Sequence, residues 1–338
     1  MSIEAVSGIA PGDAASRLRA ARTRALLEAP IGSTLAKLAA PNVLAMFVQA
    51  VQSVAEAYFA SLMGLTALAG LALVFPLVML TQMLSAGAIG GAVSASISRA
   101  LGARDANRAA TLALTGWIIA SGFALFLAIV VALFGATIFD ALGGGSQAVD
   151  MANRYAIVFF PGCLAIWLCH TSLSIIRGTG DMQTPSLLLL VVSTVSVPLS
   201  GGFALGWGPL PALGMAGLPL GLVLAYGVGA LVAVGYIASG SVGLVFKTAM
   251  SRLGMDMFRD ILRVGAMASV NTALTVLTVV LMVSMVGRYG EAALAGYGLG
   301  ARLEFLMIPV IFGIGAAMTA MVGANIGAGN RARALRVA

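Results

Sequence analysis

Charge is what this chain has least of. Only 9% of its 338 residues are Asp, Glu, Lys or Arg, while 60% are hydrophobic. A soluble domain covers its surface with roughly a quarter charged residues, so the composition excludes a water-soluble globular protein. Histidine occurs once, at His170, and cysteine twice, at Cys163 and Cys169. On a helix those two thiols lie about 9 Å apart along the axis, too far to bridge. With so few His and Cys there is no ligand set for a metal centre, and no cofactor is expected. No Ser/His pair, paired Asp or metal cluster suggests an enzyme. The pattern GxGxxG and the full P-loop are absent as well. The first 36 residues are polar and Arg-bearing without an apolar core, so no cleavable signal is read there. The net charge of +7 does not point to nucleic acid, because the arginines lie between apolar blocks and no RNP-like or zinc-finger pattern accompanies them.

What is present is a series of apolar blocks long enough to cross a bilayer core, about 20 residues each at 1.5 Å per residue. Eight spans are expected, near 40–63, 67–98, 109–139, 151–176, 185–207, 212–239, 263–287 and 292–323. Alternate connections hold most of the positive charge: Arg17, Arg19, Arg22, Arg24 and Lys37; Arg99, Arg104 and Arg108; Arg177; Lys247, Arg252, Arg259 and Arg263; Arg331, Arg333 and Arg336. The other side has only Arg154, Arg288 and Arg302. That asymmetry supports eight spans, and it places both ends of this chain in the cytoplasm of a bacterial inner membrane.

An internal repeat is legible. Ala67-Leu68-Ala69-Gly70 returns as Ala293-Leu294-Ala295-Gly296, and Gly102-Ala103-Arg104-Asp105 with Arg108-Ala109 returns as Gly327-Ala328-Gly329-Asn330 with Arg333-Ala334. The near-constant offset spans six helices, so the repeat is parallel and implies two lobes about an axis along the membrane normal, with a cleft between them. The expected fold is all-α, a polytopic membrane helix bundle. It comprises a tail at 1–36, a complete six-helix N-lobe at 37–239, a linker helix on the cytoplasmic surface at 240–262, and the first two helices of a repeated C-lobe at 263–338. On this reading about four helices, on the order of 110 residues, are missing from the second unit.

Glu56 is the acid placed deep in a span. A charge there costs at least about 2.5–3.5 kcal/mol, so it has to gain a partner, face water or bind a proton. Gln49, Gln52 and Ser53 lie one or two turns away on the same polar stripe. Glu304 is a possible second acidic site; it shares no helical face with Arg302, two residues before it, so Arg302 needs another partner. Phe47, Tyr58 and Phe75 are candidate linings of an adaptable substrate cleft. His170, without companion ligands, is read as packing. Pro198, Pro219 and Pro309 are read as interruptions of helices 5, 6 and 8.

Several motifs taken together resemble the multidrug and toxic compound extrusion (MATE) family. They are Gly102-Ala-Arg-Asp-Ala-Asn-Arg108, Arg177-Gly-Thr-Gly-Asp-Met-Gln-Thr-Pro185, Leu213-Gly-Met-Ala-Gly217, Arg302-Leu-Glu304 and Gly323-Ala-Asn-Ile-Gly-Ala-Gly-Asn-Arg-Ala-Arg333. The resemblance implies two six-helix lobes that extrude cationic drugs in exchange for H⁺ or Na⁺. It also implies an acid in helix 1, usually Asp, where this chain has Glu56. Counted from Pro185, the family's Asn and Asp of helix 5 fall on Ser196 and Ser200, and its Thr of helix 6 on Leu222. Losing those oxygen ligands favours H⁺ over Na⁺.

The reading is therefore an antiporter of lipophilic or cationic small molecules against H⁺, seated in lipid, without nucleic acid, and a monomer if full length. Its rivals are a lipid-linked oligosaccharide flippase of the same superfamily, disfavoured by scarce intramembrane basic residues, and a non-transporting fragment.

Overall fold

The structure, a computed structural model, describes residues 24–143, 145–244, 246, 253–304 and 308–338, apart from the side chains of residues 304 and 308–310. Among these residues there are helices and no strand. The chain runs through α1 (Ile31–Leu62), α2 (Leu65–Gly102), α3 (Ala106–Leu142), α4 (Gly145–Gly178), α5 (Gln183–Leu205), α6 (Gly217–Ala238) and α7 (Met255–Gly287). It continues through α8 (Glu291–Glu304), α9 (Ile308–Gly327) and the short α10 (Arg331–Val337). The first seven are long and apolar enough to cross a membrane. The eighth expected span falls on α8 and α9.

Apolar side chains point both ways from these helices, as they must where lipid replaces water. Leu133, Ile157 and Leu231 are at least 70% exposed on the outside of the bundle. Inside, α2 and α4 are the most enclosed helices, burying Leu71, Leu73, Ile89 and Ile97 on one and Tyr155, Phe159 and Trp167 on the other. With no water to drive apolar surfaces together, close contact depends on small residues. A methyl placed on Gly70 would lie 2.5 Å from Met151 Cβ, and one on Gly162 would lie 2.3 Å from Val223.

The segment 65–102 is a single course of helix with one wide turn at Met83–Ala88, six residues of π-helix. Pro76 stands two turns before it. Such turns widen the backbone ring and recur at functional sites; here the widened turn faces the cleft.

The repeat has a geometric counterpart. Gly102 abuts the Ala324 carbonyl, where an added Cβ would be 2.2 Å from its oxygen, and Gly327 abuts the Arg99 carbonyl at 2.0 Å. Ala324 follows Arg99 by the same interval as Gly327 follows Gly102, so the two contacts are reciprocal, the mark of a two-fold relation. The turns beyond them match too. Arg104 and Gly329 hold equivalent left-handed positions at φ 60° and 78°. Asp105 Oδ1 accepts the Arg108 N–H at 2.8 Å, and Asn330 Oδ1 accepts the Arg333 N–H at 3.2 Å. At the opposite end Thr66 donates to Glu291 at 3.0 Å, its partner 225 residues on.

Three expectations need amendment. Pro219 does not interrupt a helix: it lies in the first turn of α6, where a missing N–H costs nothing. Around Pro198, α5 runs unbroken from Gln183 to Leu205. Pro309 lies outside the described side chains. Of the expected linker helix at 240–262, the residues from Met255 onward form the first turns of α7, and residues 245 and 247–252 lie outside the described residues. Residues 31–36, expected in the tail, begin α1.

The crossing of α2 and α9 gives a stability prediction. Gly327→Val forces a side chain into the Arg99 carbonyl, at a cost of about 1–3 kcal/mol from overpacking. Thermal unfolding of the purified chain in detergent is expected at a lower midpoint. Gly91→Ala, where an added methyl meets nothing within 4 Å, is expected to leave the midpoint unchanged.

Candidate functional site

Glu56 lies on α1, 8% exposed, at the junction of four helices. Tyr155 of α4 donates its hydroxyl to Glu56 Oε1 at 2.7 Å. The other oxygen faces Arg302 of α8, whose Nη1 is 3.6 Å from Glu56 Oε2. Arg302 is 3% exposed. Its Nη1 also donates to the Ser53 carbonyl at 2.7 Å, and its guanidinium lies 5.1 Å from the centre of the Phe75 ring on α2.

A buried ion pair survives only when its remaining donors and acceptors are satisfied, since desolvation costs several kcal/mol per ion. Here the tyrosine hydroxyl, a main-chain carbonyl and an aromatic face all contribute. The pair links α1, from the first half of the repeat, to α8, from the second.

Two adjoining cavities follow the cleft. The smaller, about 90 Å³, is lined by Glu56, Gln49, Gln52, Ser53, Phe75, Gln82, His170, Leu222 and Arg302 among others. The larger, about 400 Å³, lies toward the Arg-rich ends of the helices, between α1, α2, α4, α7 and α9. Met46, Met83, Ala86 and Phe312 line both, so a flexible apolar waist separates them.

The polar stripe on α1 does converge on the cleft. Gln49 donates to Tyr226 at 2.8 Å and lies 3.4 Å from His170 Nε2, while His170 Nδ1 is 2.8 Å from Ser85 Oγ. This ties α1, α2, α4 and α6 together. Gln52 Oε1 is buried without a hydrogen-bond partner among the described residues. Of the proposed lining aromatics, Phe75 faces the smaller cavity, whereas Phe47 and Tyr58, 47% and 59% exposed, lie on the outside of the bundle. Ser196 and Ser200 are buried but do not line either cavity; Ser196 bonds back to the Ser193 carbonyl. The side chain of Glu304 lies outside the described residues. Among the described residues no cluster of His, Cys, Asp and Glu is suited to a metal.

Sequence reasoning missed Tyr155 and the destination of Arg302. It also undercounted basic groups in the membrane, since Arg302 and Arg177 both line cavities. Arg177 belongs to the last turn of α4 rather than to a loop.

A helical bundle with an internal two-fold and a polar cleft between its halves defines a multi-pass membrane transporter. The chain belongs to the MatE family, which it matches over residues 41–200 and 268–338; it is a member of a family of transporters, not enzymes. It is 25% identical over 321 residues to a protein of Shewanella oneidensis named "FAD transporter", covering 91% of this chain and 68% of that one. It is 28% identical over 270 residues to the "Probable multidrug resistance protein YoeA" of Bacillus subtilis, covering 79% of this chain and 58% of that one. Among solved structures it superposes on an outward-facing multidrug resistance MATE transporter with TM-score 0.81 at 25% identity, covering 93% of this chain and 69% of the other. A MOP superfamily transporter from Pyrococcus furiosus, described as having a binding pocket of reversed polarity, superposes with TM-score 0.82 at 25% identity, over 93% of this chain and 69% of that one.

The ion pair yields a double-mutant prediction. Arg302→Met leaves Glu56 without its counter-charge and is expected to destabilise the chain by about 3–5 kcal/mol at neutral pH. Combining it with Glu56→Gln is expected to recover much of that loss, read as thermal unfolding midpoints of the four proteins in one detergent.

Proposed function

We propose that this chain holds the coupling site of a secondary active exporter of small molecules, with H⁺ rather than Na⁺ as the coupling ion and Glu56 as the group that carries it. The observation supporting this is the Glu56–Arg302 contact across the two halves of the repeat, in the wall of a cavity. An ionised Glu56 holds Arg302 and so ties α1 to α8. Protonation removes the charge, and with it the attraction, so the halves are released. Loss of the proton on the other side restores the tie. Such an element has two arrangements that a proton biases, as coupling requires.

Proton coupling fits the site better than Na⁺. One carboxylate oxygen of Glu56 accepts from Tyr155 and the other is ion-paired with Arg302, so the place of a bound cation is taken by a guanidinium. A cationic substrate that binds Glu56 has to displace Arg302 from the ionised carboxylate, or the proton from the neutral one. The names carried by the relatives, multidrug resistance and FAD transport, support a small-molecule substrate. We place the Arg-rich ends of the helices on the cytoplasmic side of a bacterial inner membrane, from the positive-charge asymmetry.

In proteoliposomes, an imposed pH gradient is expected to drive substrate movement, and an imposed Na⁺ gradient at constant pH is not. Glu56→Gln is expected to abolish the pH-driven flux while the protein still inserts. Drive by Na⁺ alone, or undiminished pH-driven flux in the variant, contradicts the proposal.

A further inference from the structure

The larger cavity has an uneven charge inventory. Its described lining residues include Arg177 and no Asp or Glu. Arg177 is 7% exposed and donates to Ser174 Oγ at 2.8 Å. Among the described residues no carboxylate comes within ion-pair distance of it. The C-terminal turn of α4 offsets part of the guanidinium charge through its carbonyl ends, but a neutral hydroxyl and a helix end do not replace a counter-ion. A cation so enclosed is costly until an anion joins it.

The rest of the lining includes polar groups from both halves. Asn42 of α1 is 1% exposed and its Oδ1 has no hydrogen-bond partner among the described residues. Ser94 adds a buried hydroxyl from α2, and Asn271, Thr272 and Thr319 add amide and hydroxyl groups from α7 and α9. In the neighbouring cavity the charge of Glu56 is already countered by Arg302. Across the two cavities the described groups therefore sum to one excess positive charge, at Arg177. A volume of about 400 Å³ lies in the range of small-molecule sites, and convergent polar groups on an apolar wall are their usual construction.

We propose that this cavity receives an organic anion, a molecule bearing a carboxylate, sulfonate or phosphate group that pairs with Arg177. Hydroxyl or N–H groups on the same molecule meet the buried amide of Asn42. The proposal rests on the transport reading only in taking this cavity as part of a substrate path; it does not depend on which ion is coupled. It distinguishes the chain from an exporter selective for cations, for which an unbalanced buried guanidinium is a repulsive element.

The test is equilibrium binding to the purified chain in phosphatidylcholine nanodiscs, using fluorescein and a rhodamine ester, which share a xanthene frame and carry opposite charge. Fluorescein is expected to bind at least tenfold more tightly than the rhodamine ester. Asn42→Asp, which places a second charge of the wrong sign in the chamber, is expected to weaken fluorescein on the order of tenfold and to narrow or reverse the preference. Arg177→Gln is expected to abolish it, and Asn42→Asp keeps the test decisive should the arginine variant fail to fold. Discs containing phosphatidylglycerol separate two sources of the same chemistry: weaker fluorescein binding there assigns the site to an anionic headgroup, and unchanged binding to a soluble anion. Tighter binding of the rhodamine ester, or fluorescein binding indifferent to Asn42→Asp, overturns the proposal. Anion binding without pH-driven flux leaves it standing and removes the coupling assignment instead; flux without anion selectivity does the reverse.

Discussion

The two halves of this bundle meet at one buried electrostatic contact, and the arrangement of the cleft follows from it. Glu56 on α1 and Arg302 on α8 are each too costly to keep alone in an apolar setting. Together, with Tyr155, the Ser53 carbonyl and the Phe75 face, they form a set in which every strong charge has a partner. The cost of separating them is what makes the contact selective: a small chemical change at one carboxylate alters the attraction between elements that lie far apart in sequence.

Around that contact the packing is of a different kind. The α2–α9 crossing, built on Gly102 and Gly327 against opposing carbonyls, is close and symmetric. A second tie at the same end runs from the N-terminal segment to the last helices, where Asn325 donates to the Leu26 carbonyl and Arg333 to the Ala29 carbonyl. The halves are thus held by close glycine contacts at both ends, Gly327 on the Arg99 carbonyl and Gly287 on the Leu142 carbonyl, by the half-exposed Arg108–Asp260 ion pair, and by the buried pair at Glu56. Of these ties, the pair at Glu56 is the one whose charge is buried on both partners.

Much of this was legible in the residues. The helices follow from apolar block length, and the two-fold follows from a repeated turn motif whose capping residues, Asp105 and Asn330, do the same work in both copies. Glu56 stood out because an acid in lipid demands an explanation. What could not be read was pairing. Arg302 lies 249 residues from the carbonyl it binds, and nothing local marks it as a partner of α1; its nearest acid in sequence, Glu304, drew attention instead. Tyr155 looked like any aromatic on an apolar helix. Ser196 and Ser200 were placed by counting along a motif, and a count gives no account of which face a helix turns inward; both pack away from the cavities. Arg177 was read as topogenic because it ends a span, although the helix runs on to Gly178 and Arg177 lines the wall of the larger cavity.

Taken together, the buried charges describe a cleft with an internal counter-ion for its acid and a surplus cation beyond a waist of methionine and phenylalanine. Whether the tie at Glu56 responds to protons can be read as distance. Spin labels at Ser61 and Tyr289, exposed positions near the ends of α1 and α7, can be introduced while Cys163 and Cys169 stay buried. Their separation, measured by pulsed dipolar spectroscopy at neutral and acidic pH, is expected to shift to a longer population on acidification. In Glu56→Gln the longer population is expected at every pH. One distribution unchanged across pH, or an acid-induced shift that persists in the variant, contradicts a proton-controlled contact between the halves.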